Sequence, residues 1–333
     1  MSGRYRQVPQ PRTLRPVAAA VGLAASMSLE SFLEAIADPS GEVSAGDFIE
    51  VSDLSPAELG QFARTWYVIP VERQQWIITT MVELAEENPE LDFCAILKMC
   101  LKDRDETVLE KAMEGLWEHD ERSIIPSLIQ ILTSDKSPRV RAAAAVALGK
   151  FPVLIQEGKL RPKDGQSIHD SLMAALKDPN QHPEVRRRSL EAVAPFNTGD
   201  IRKYVSWAYE SDDLSLKSSS IYAMGRTGET SWLPLLIKEL QNPKPSIRYE
   251  TALACGELGE EDAVPHLVPL LQDDDYQVQL AGINALGKIG GPLAQKVLLH
   301  CLKEGDATLE EAARAELQNI EFPEDPMAFT SEA

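Results

Sequence analysis

The sequence predicts an all-α protein, an alpha-alpha superhelix in which about seven to eight helix pairs stack into a solenoid. Three observations carry this. Aliphatic residues open a run of similar segments at Val140, Val185, Leu216, Ile247, Val278 and Leu309, spaced by 45 and then four times by 31 residues. Within each segment the apolar or small positions fall at 0, +4, +7 and +8, a single face of a helix at about 3.6 residues per turn. Gly228, Gly259 and Gly290 stand at +12 in three successive segments, where glycine can adopt the left-handed conformation that ends a helix. A fixed period of this length is the signature of stacked supersecondary units, each too small to bury its own apolar face.

The elements follow in order. Residues 1–28 carry Arg4, Arg6, Arg12 and Arg15 and no acid, although the whole chain of 333 residues has a net charge of -19. Pro9, Pro11 and Pro16 prevent a continuous helix there, so this stretch reads as a disordered or targeting leader. Ser28 is a candidate N-cap for an amphipathic stretch from Leu29 to Ala37, and residues 29–52 form a helical cap segment. The repeat body spans 53–322. It opens on Ser55, Pro56 and Glu58, a capping box with proline at the first helical position, which turns Leu59, Phe62, Ala63 and Trp66 inward. The run Val71 to Ala85 and the segment from Val108 hold the places of two earlier units. In the best units the buried stripe is Ile247, Thr251, Ala254 and Cys255, or Val278, Gly282, Ala285 and Leu286.

A second apolar stripe precedes each such helix: Ile124 to Leu132, Leu233 to Leu240, Val264 to Leu271 and Leu293 to Leu302. Pro126, Pro234 and Pro265 sit in its first turn, where a missing N–H costs nothing. The unit is therefore helix, turn, helix, turn. The 45-residue interval contains an insertion at 151–165, expected as a loop on one side of the stack. Residues 323–333 read as a disordered acidic tail. Asp103, Asp135, Asn242 and Asp273 stand before the second helices, and Arg141, Arg186, Lys217 and Arg248 stand one position inside them. Acids or amides and bases at fixed offsets are expected to pair between adjacent turns as a structural ladder.

The pattern V-R-x-x-A-A-x-A-L-G-x-x-G, with A-V-P-x-L-x-x-L-L-x-D at Ala263 to Asp273, resembles the HEAT repeats of the phycobilisome-lyase type. The resemblance covers 53–320 and is strongest over 124–304. It implies an armadillo-type solenoid. Members of that family include bilin lyases, which act on the chromophores of antenna proteins, and many scaffolds without such activity.

No catalytic constellation is complete in the sequence. GINALGKI from Gly282 to Ile289 approaches the phosphate-binding G-x-x-x-x-G-K-[ST], but Ile289 stands where the hydroxyl belongs. The resemblance to HEAT-type deoxyhypusine hydroxylases would require His-Glu pairs, whereas His119, His169, His182, His266 and His300 precede Asp, Asp, Pro, Leu and Cys. No metal ligand, cofactor or catalytic residue is assigned on this reading. Cys94, Cys100, Cys255 and Cys301 contain no C-x-x-C pair and read as buried thiols of a reducing, cytoplasmic compartment. Arg186, Arg187, Arg188, Arg202 and Lys203 form one basic cluster in a strongly acidic chain, which argues against nucleic acid as the partner. No apolar run approaches the length of a membrane span.

Specificity is then expected on the concave side, lined by the second helices. Positions +2, +6 and +10 of each unit lie off the buried stripe, and the partner-binding candidates there are Arg187, Glu191, Tyr222, Arg226, Tyr249, Leu253, Leu280 and Lys288. Mixed charge beside aromatic and aliphatic anchors suits a protein partner or an extended peptide. The functional expectation is a non-catalytic interaction scaffold. The alternative is a chromophore-handling factor, with a bilin held by Arg187, Glu191, Tyr222 and Arg226.

Overall fold

A computed structural model describes residues 27–38, 40–134, 136–304 and 307–321. The leader through residue 26, Asp135 and the acidic tail lie outside the described residues. Among the described residues there are eighteen α-helices and no strand. The chain divides into two compact units, one through Ser171 and one from Leu172.

The first unit opens on α1 (Leu29–Ala37), whose N-terminal N–H of Ser31 is accepted by the Ser28 hydroxyl, and a 3-10 turn over Ala45–Val51. Then come α2 (Pro56–Trp66) and α3 (Val71–Glu87), α4 (Cys94–Cys100) and α5 (Glu106–Gly115), and α6 (Ile125–Leu132) and α7 (Pro138–Leu148). The capping box at Ser55 is formed: the Glu58 carboxylate accepts the Ser55 N–H at 2.9 Å, and the Ser55 hydroxyl accepts the Glu58 N–H. Phe62 and Trp66 are fully buried as the stripe requires, stacked on each other, and the Trp66 indole donates to Asp103 at 2.8 Å. The second helices α3, α5 and α7 pack side by side.

The insertion at 151–165 is not a loop. Phe151–Gln156 forms a short helix, α8, and residues 162–165 are the first turn of α9 (Pro162–Lys177). The reason is local: Phe151 and Leu154 recur at helical spacing and are buried, and Pro152 stands in the first turn, where it leaves no bond unmade.

The second unit continues with α10 (Pro183–Val193), α11 (Gly199–Tyr209), α12 (Leu214–Arg226), α13 (Leu233–Glu239), α14 (Pro245–Leu258), α15 (Val264–Leu267), α16 (Tyr276–Ile289), α17 (Gly291–Glu304) and α18 (Ala307–Glu321). Each first helix packs on its own second helix, and α10, α12, α14, α16 and α18 stand in one row. Gly228, Gly259 and Gly290 have positive φ, so the turn at +12 is the one anticipated. In the unit starting at Val185 the same place is taken by Asn197, at φ 46°, because asparagine tolerates this conformation better than other residues with a side chain. The stripe from Val264 to Leu271 is helical only to Leu267 and continues as a 3-10 turn over Val268–Gln272. Pro269 removes an N–H and crowds the preceding turn, which ends the α-helix.

The row is close-packed at a second set of glycines, nine positions into the three units that start at Leu216, Ile247 and Val278. A Cβ on Gly225 would lie 2.8 Å from the backbone of Ala254, and one on Gly256 would lie 2.9 Å from the Cα of Ala285. Small residues here let neighbouring second helices approach backbone to backbone. Between adjacent turns, Arg248 makes a bidentate pair with Asp273 at 2.7 and 2.6 Å, bonding one repeat to the next. Lys217 likewise pairs with an acid of the next turn, Glu239, in place of the expected Asn242, whereas Arg186 donates to the Leu176 carbonyl. Arg141 donates to the Lys136 carbonyl, and its expected neighbour Asp135 lies outside the described residues. Asp103, Asn242 and Asp273 also accept backbone N–H groups two residues on, fixing the loop before the second helix that follows each.

Candidate interaction face

The charged residues at +2, +6 and +10 of the second-unit helices bind one another within and between the helices of the row. At its start, Arg187 pairs with Glu184 at 2.6 Å and with Glu191 at 3.2 Å and donates to the Ser219 hydroxyl at 3.1 Å. Glu191 also accepts from Arg188 at 2.9 Å and from Ser219 at 2.6 Å, tying α10 to α12. Glu191 is only 8% exposed, so it is a buried hub of this network.

Further along, Arg226, Glu257 and Lys288, each at +10 of its unit, form a run of alternating charge. Glu257 lies 3.4 Å from Arg226 and is hydrogen-bonded to Lys288. Burial alone would raise the Glu257 carboxyl, but the bond and charge of Lys288 and the charge of Arg226 hold it below its ordinary value. Asn284 donates to Glu316 of α18 at 2.9 Å. Tyr222, Leu253 and Leu280 are half-buried among these groups, and Lys288 is exposed. Tyr249 is 4% exposed and belongs to the packed interior of the row. A helix in such a row touches its own first helix and a neighbour on either side, so the strip left open is narrower than a helical wheel suggests.

The basic cluster is likewise engaged. Arg188 pairs with Glu184 and Glu191, Arg202 with Glu229 at 3.5 Å, and Lys203 with Asp200 at 3.3 Å. Arg186 lies over the ring of Trp207, which is 43% exposed at the edge of a cleft shared with His182, Asp213 and Leu216.

One grouping in the first unit escaped the sequence reading. Asp92, Cys94 and His119 offer a carboxylate oxygen, Sγ and a ring nitrogen that all lie within 4.8 Å of one another. Cys94 is buried, His119 is half-buried and Asp92 is exposed. Glu121 Oε1 accepts from Sγ at 3.7 Å, and its other oxygen binds Lys98 and the Ser123 hydroxyl. The signal in the sequence is faint: two short pairs, Asp-x-Cys and His-x-Glu, in the loops before α4 and α6.

Residues 95–160 and 233–318 match the family model of HEAT repeats. Both stretches carry HEAT repeats. No curated protein matches the chain. Among solved structures, the HEAT-repeat chain is similar to the complex of CpcE and CpcF of phycocyanin lyase from Nostoc, at 22% identity over 60% of this chain and 77% of that one, with a TM-score of 0.41. It is also similar to human deoxyhypusine hydroxylase, at 17% identity over 88% of this chain and 96% of that one, TM-score 0.34. A designed armadillo repeat protein aligns at 16% identity over 59% of this chain and 99% of its own length, TM-score 0.36. No helix among the described residues is long and apolar enough to cross a membrane.

Proposed function

We propose that this HEAT-repeat protein is a non-catalytic binding scaffold and that the second-helix row of its second unit receives a protein segment. The observation that supports this reading is the row itself. Five second helices, α10 to α18, stand side by side and are bonded across each junction, so they offer one continuous surface. At about 8–10 Å between helix axes the row spans roughly 35–40 Å, the reach of an extended peptide of about ten to twelve residues. Tyr222, Leu253 and Leu280 supply apolar contact, and the charge run from Arg226 to Lys288 sets register.

The cations that a bilin's carboxylates would need on this face, Arg187 and Arg226, are engaged by Glu184, Glu191 and Glu257, which favours the peptide over the chromophore. The four cysteines are all free thiols, which fits a reducing compartment such as the cytoplasm. The test is affinity capture from the source cells with the full chain and with a Tyr222→Ala, Leu253→Ala, Leu280→Ala variant that retains the wild-type circular dichroism. The same partner must be recovered with the wild type and be lost or depleted at least tenfold with the variant. Equal recovery with both overturns the assignment of the face.

A further inference from the structure

We infer that Asp92, Cys94, His119 and Glu121 form a binding site for a single divalent transition-metal ion of the zinc class, set between two consecutive repeats of the first unit. The donor set is a thiol sulfur, an imidazole nitrogen and two carboxylates, the mixture that zinc accepts and that calcium or magnesium, which take oxygen alone, do not. The three ligand atoms of Asp92, Cys94 and His119 already lie within 4.8 Å of one another. Metal bonds of about 2.0–2.3 Å in a tetrahedron place ligand atoms roughly 3.3–3.8 Å apart, so closing on an ion needs shifts of about 1 Å. Exposed Asp92 and half-buried His119 can supply them by side-chain rotation. Glu121 Oε1 is 3.7 Å from Sγ but outside the group of atoms that lie within 4.8 Å of one another, so it joins as the fourth donor by side-chain rotation.

The supporting shell holds the donors from behind. The Asp92 N–H donates to the Ser52 hydroxyl at 2.9 Å, and its carbonyl accepts from Asp53 at 2.7 Å. Asp53 adopts a left-handed φ of 51° to make that bond, an uncommon conformation for a residue with a side chain. Asp92 Oδ1 accepts the Cys94 N–H at 2.7 Å, which leaves the other carboxylate oxygen to offer. On the opposite loop, the carbonyls of Leu116, Trp117 and His119 accept from the Lys150 ammonium at 2.7, 2.7 and 2.6 Å, which fixes the backbone that carries the imidazole.

Charge points the same way. With the thiol ionised, Asp92, Glu121 and Cys94 carry three negative charges against one positive charge on Lys98, which is hydrogen-bonded to Glu121. A divalent cation offsets that excess of negative charge. The alternative, a Cys-His-Asp nucleophile, needs a free thiolate. Cys94 is 5% exposed and its Sγ is turned to Glu121 Oε1 at 3.7 Å, which leaves no open approach for a substrate. On binding, the sulfur–hydrogen bond breaks, the sulfur lone pair is donated to the metal, and one proton leaves to solvent. Affinity therefore rises with pH.

The test is titration of the reduced, chelator-treated full chain with cobalt(II), followed by displacement with zinc. The proposal expects one equivalent bound, a thiolate-to-cobalt charge-transfer band in the near ultraviolet, and d–d bands of tetrahedral intensity. Cys94→Ser must abolish the charge-transfer band, and His119→Ala must weaken binding by at least about tenfold, whereas Cys301→Ser must leave both unchanged. If Cys94→Ser fails to fold, His119→Ala and the exposed Asp92→Asn carry the test through thermal melting: one equivalent of zinc raises the wild-type melting temperature and raises neither variant's. Absence of the band in the wild type, its persistence in folded Cys94→Ser, or equal zinc stabilisation of all variants overturns the site.

Discussion

Replacing Gly256 by alanine tests whether the second-helix row is close-packed backbone to backbone. In isolation the change favours the helix, because Gly→Ala in a helix interior is worth about 1 kcal/mol. Against that, the new Cβ would lie 2.9 Å from the Cα of Ala285 and 3.3 Å from its Cβ. The obstructing atom is backbone, so no rotamer relieves it, and α14 and α16 must part by about half an ångström or more. Overpacking of this kind costs about 1–3 kcal/mol. The net expectation is destabilisation of about 1 kcal/mol and at most about 2, seen as a melting temperature lower by about 1–4 °C. Gly60 is the control. It lies inside α2, and a Cβ there meets nothing within 4 Å, so Gly60→Ala should stabilise by about 0.4–1 kcal/mol. The assay is thermal and urea unfolding of both variants by far-ultraviolet circular dichroism. The reasoning is refuted if Gly256→Ala is as stable as the wild type or gains as much as Gly60→Ala.

Two further predictions concern the bonds between repeats. Asp273→Ala removes both carboxylate contacts to Arg248 and the acceptor for the Asp275 N–H, in a pair whose side chains are 15% and 9% exposed. It should cost about 2–4 kcal/mol in urea unfolding. The Arg248 hydrogen bond, followed by the Asp275 N–H and the Arg248 charge, holds the Asp273 carboxyl below its ordinary 3.8, outweighing the opposing effect of burial. The stabilisation is complete above pH 3.8 and is lost as pH falls through the lowered value, so wild type and variant must converge in strong acid. Glu257→Gln breaks the run between Arg226 and Lys288 at a more solvated place and should cost under about 1 kcal/mol, shrinking with added salt. Its contribution is intact above pH 4.5 and disappears below it, because Glu257 too is depressed in the folded chain.

The architecture was legible because helix packing repeats itself. The stripe at Ile247, Thr251, Ala254 and Cys255 is buried throughout, and the glycines at +12 are left-handed, since both follow from local sequence. The stripe from Val264 to Leu271 departs from one α-helix because Pro269 within it lacks an N–H, and the insertion departs from a loop because Phe151 and Leu154 carry a helical spacing of their own. The face was legible as a set of positions but not as a set of exposures. Glu191 and Tyr249 are buried by neighbouring second helices, and no single-helix pattern contains those neighbours. The Asp92, Cys94 and His119 grouping depends on two loops from consecutive repeats meeting in space, which no periodicity announces.

The central claim is that the second-helix row of the second unit is where a protein segment binds, and site-directed photo-cross-linking tests it most directly. Benzoylphenylalanine is placed in turn at Tyr222, Leu253 and Leu280 on the row, and at Leu299 of α17, which is 50% exposed and lies on a first helix. The account predicts cross-links to one partner from the three row positions and none from position 299. Cross-links from position 299 with none from the row would contradict it.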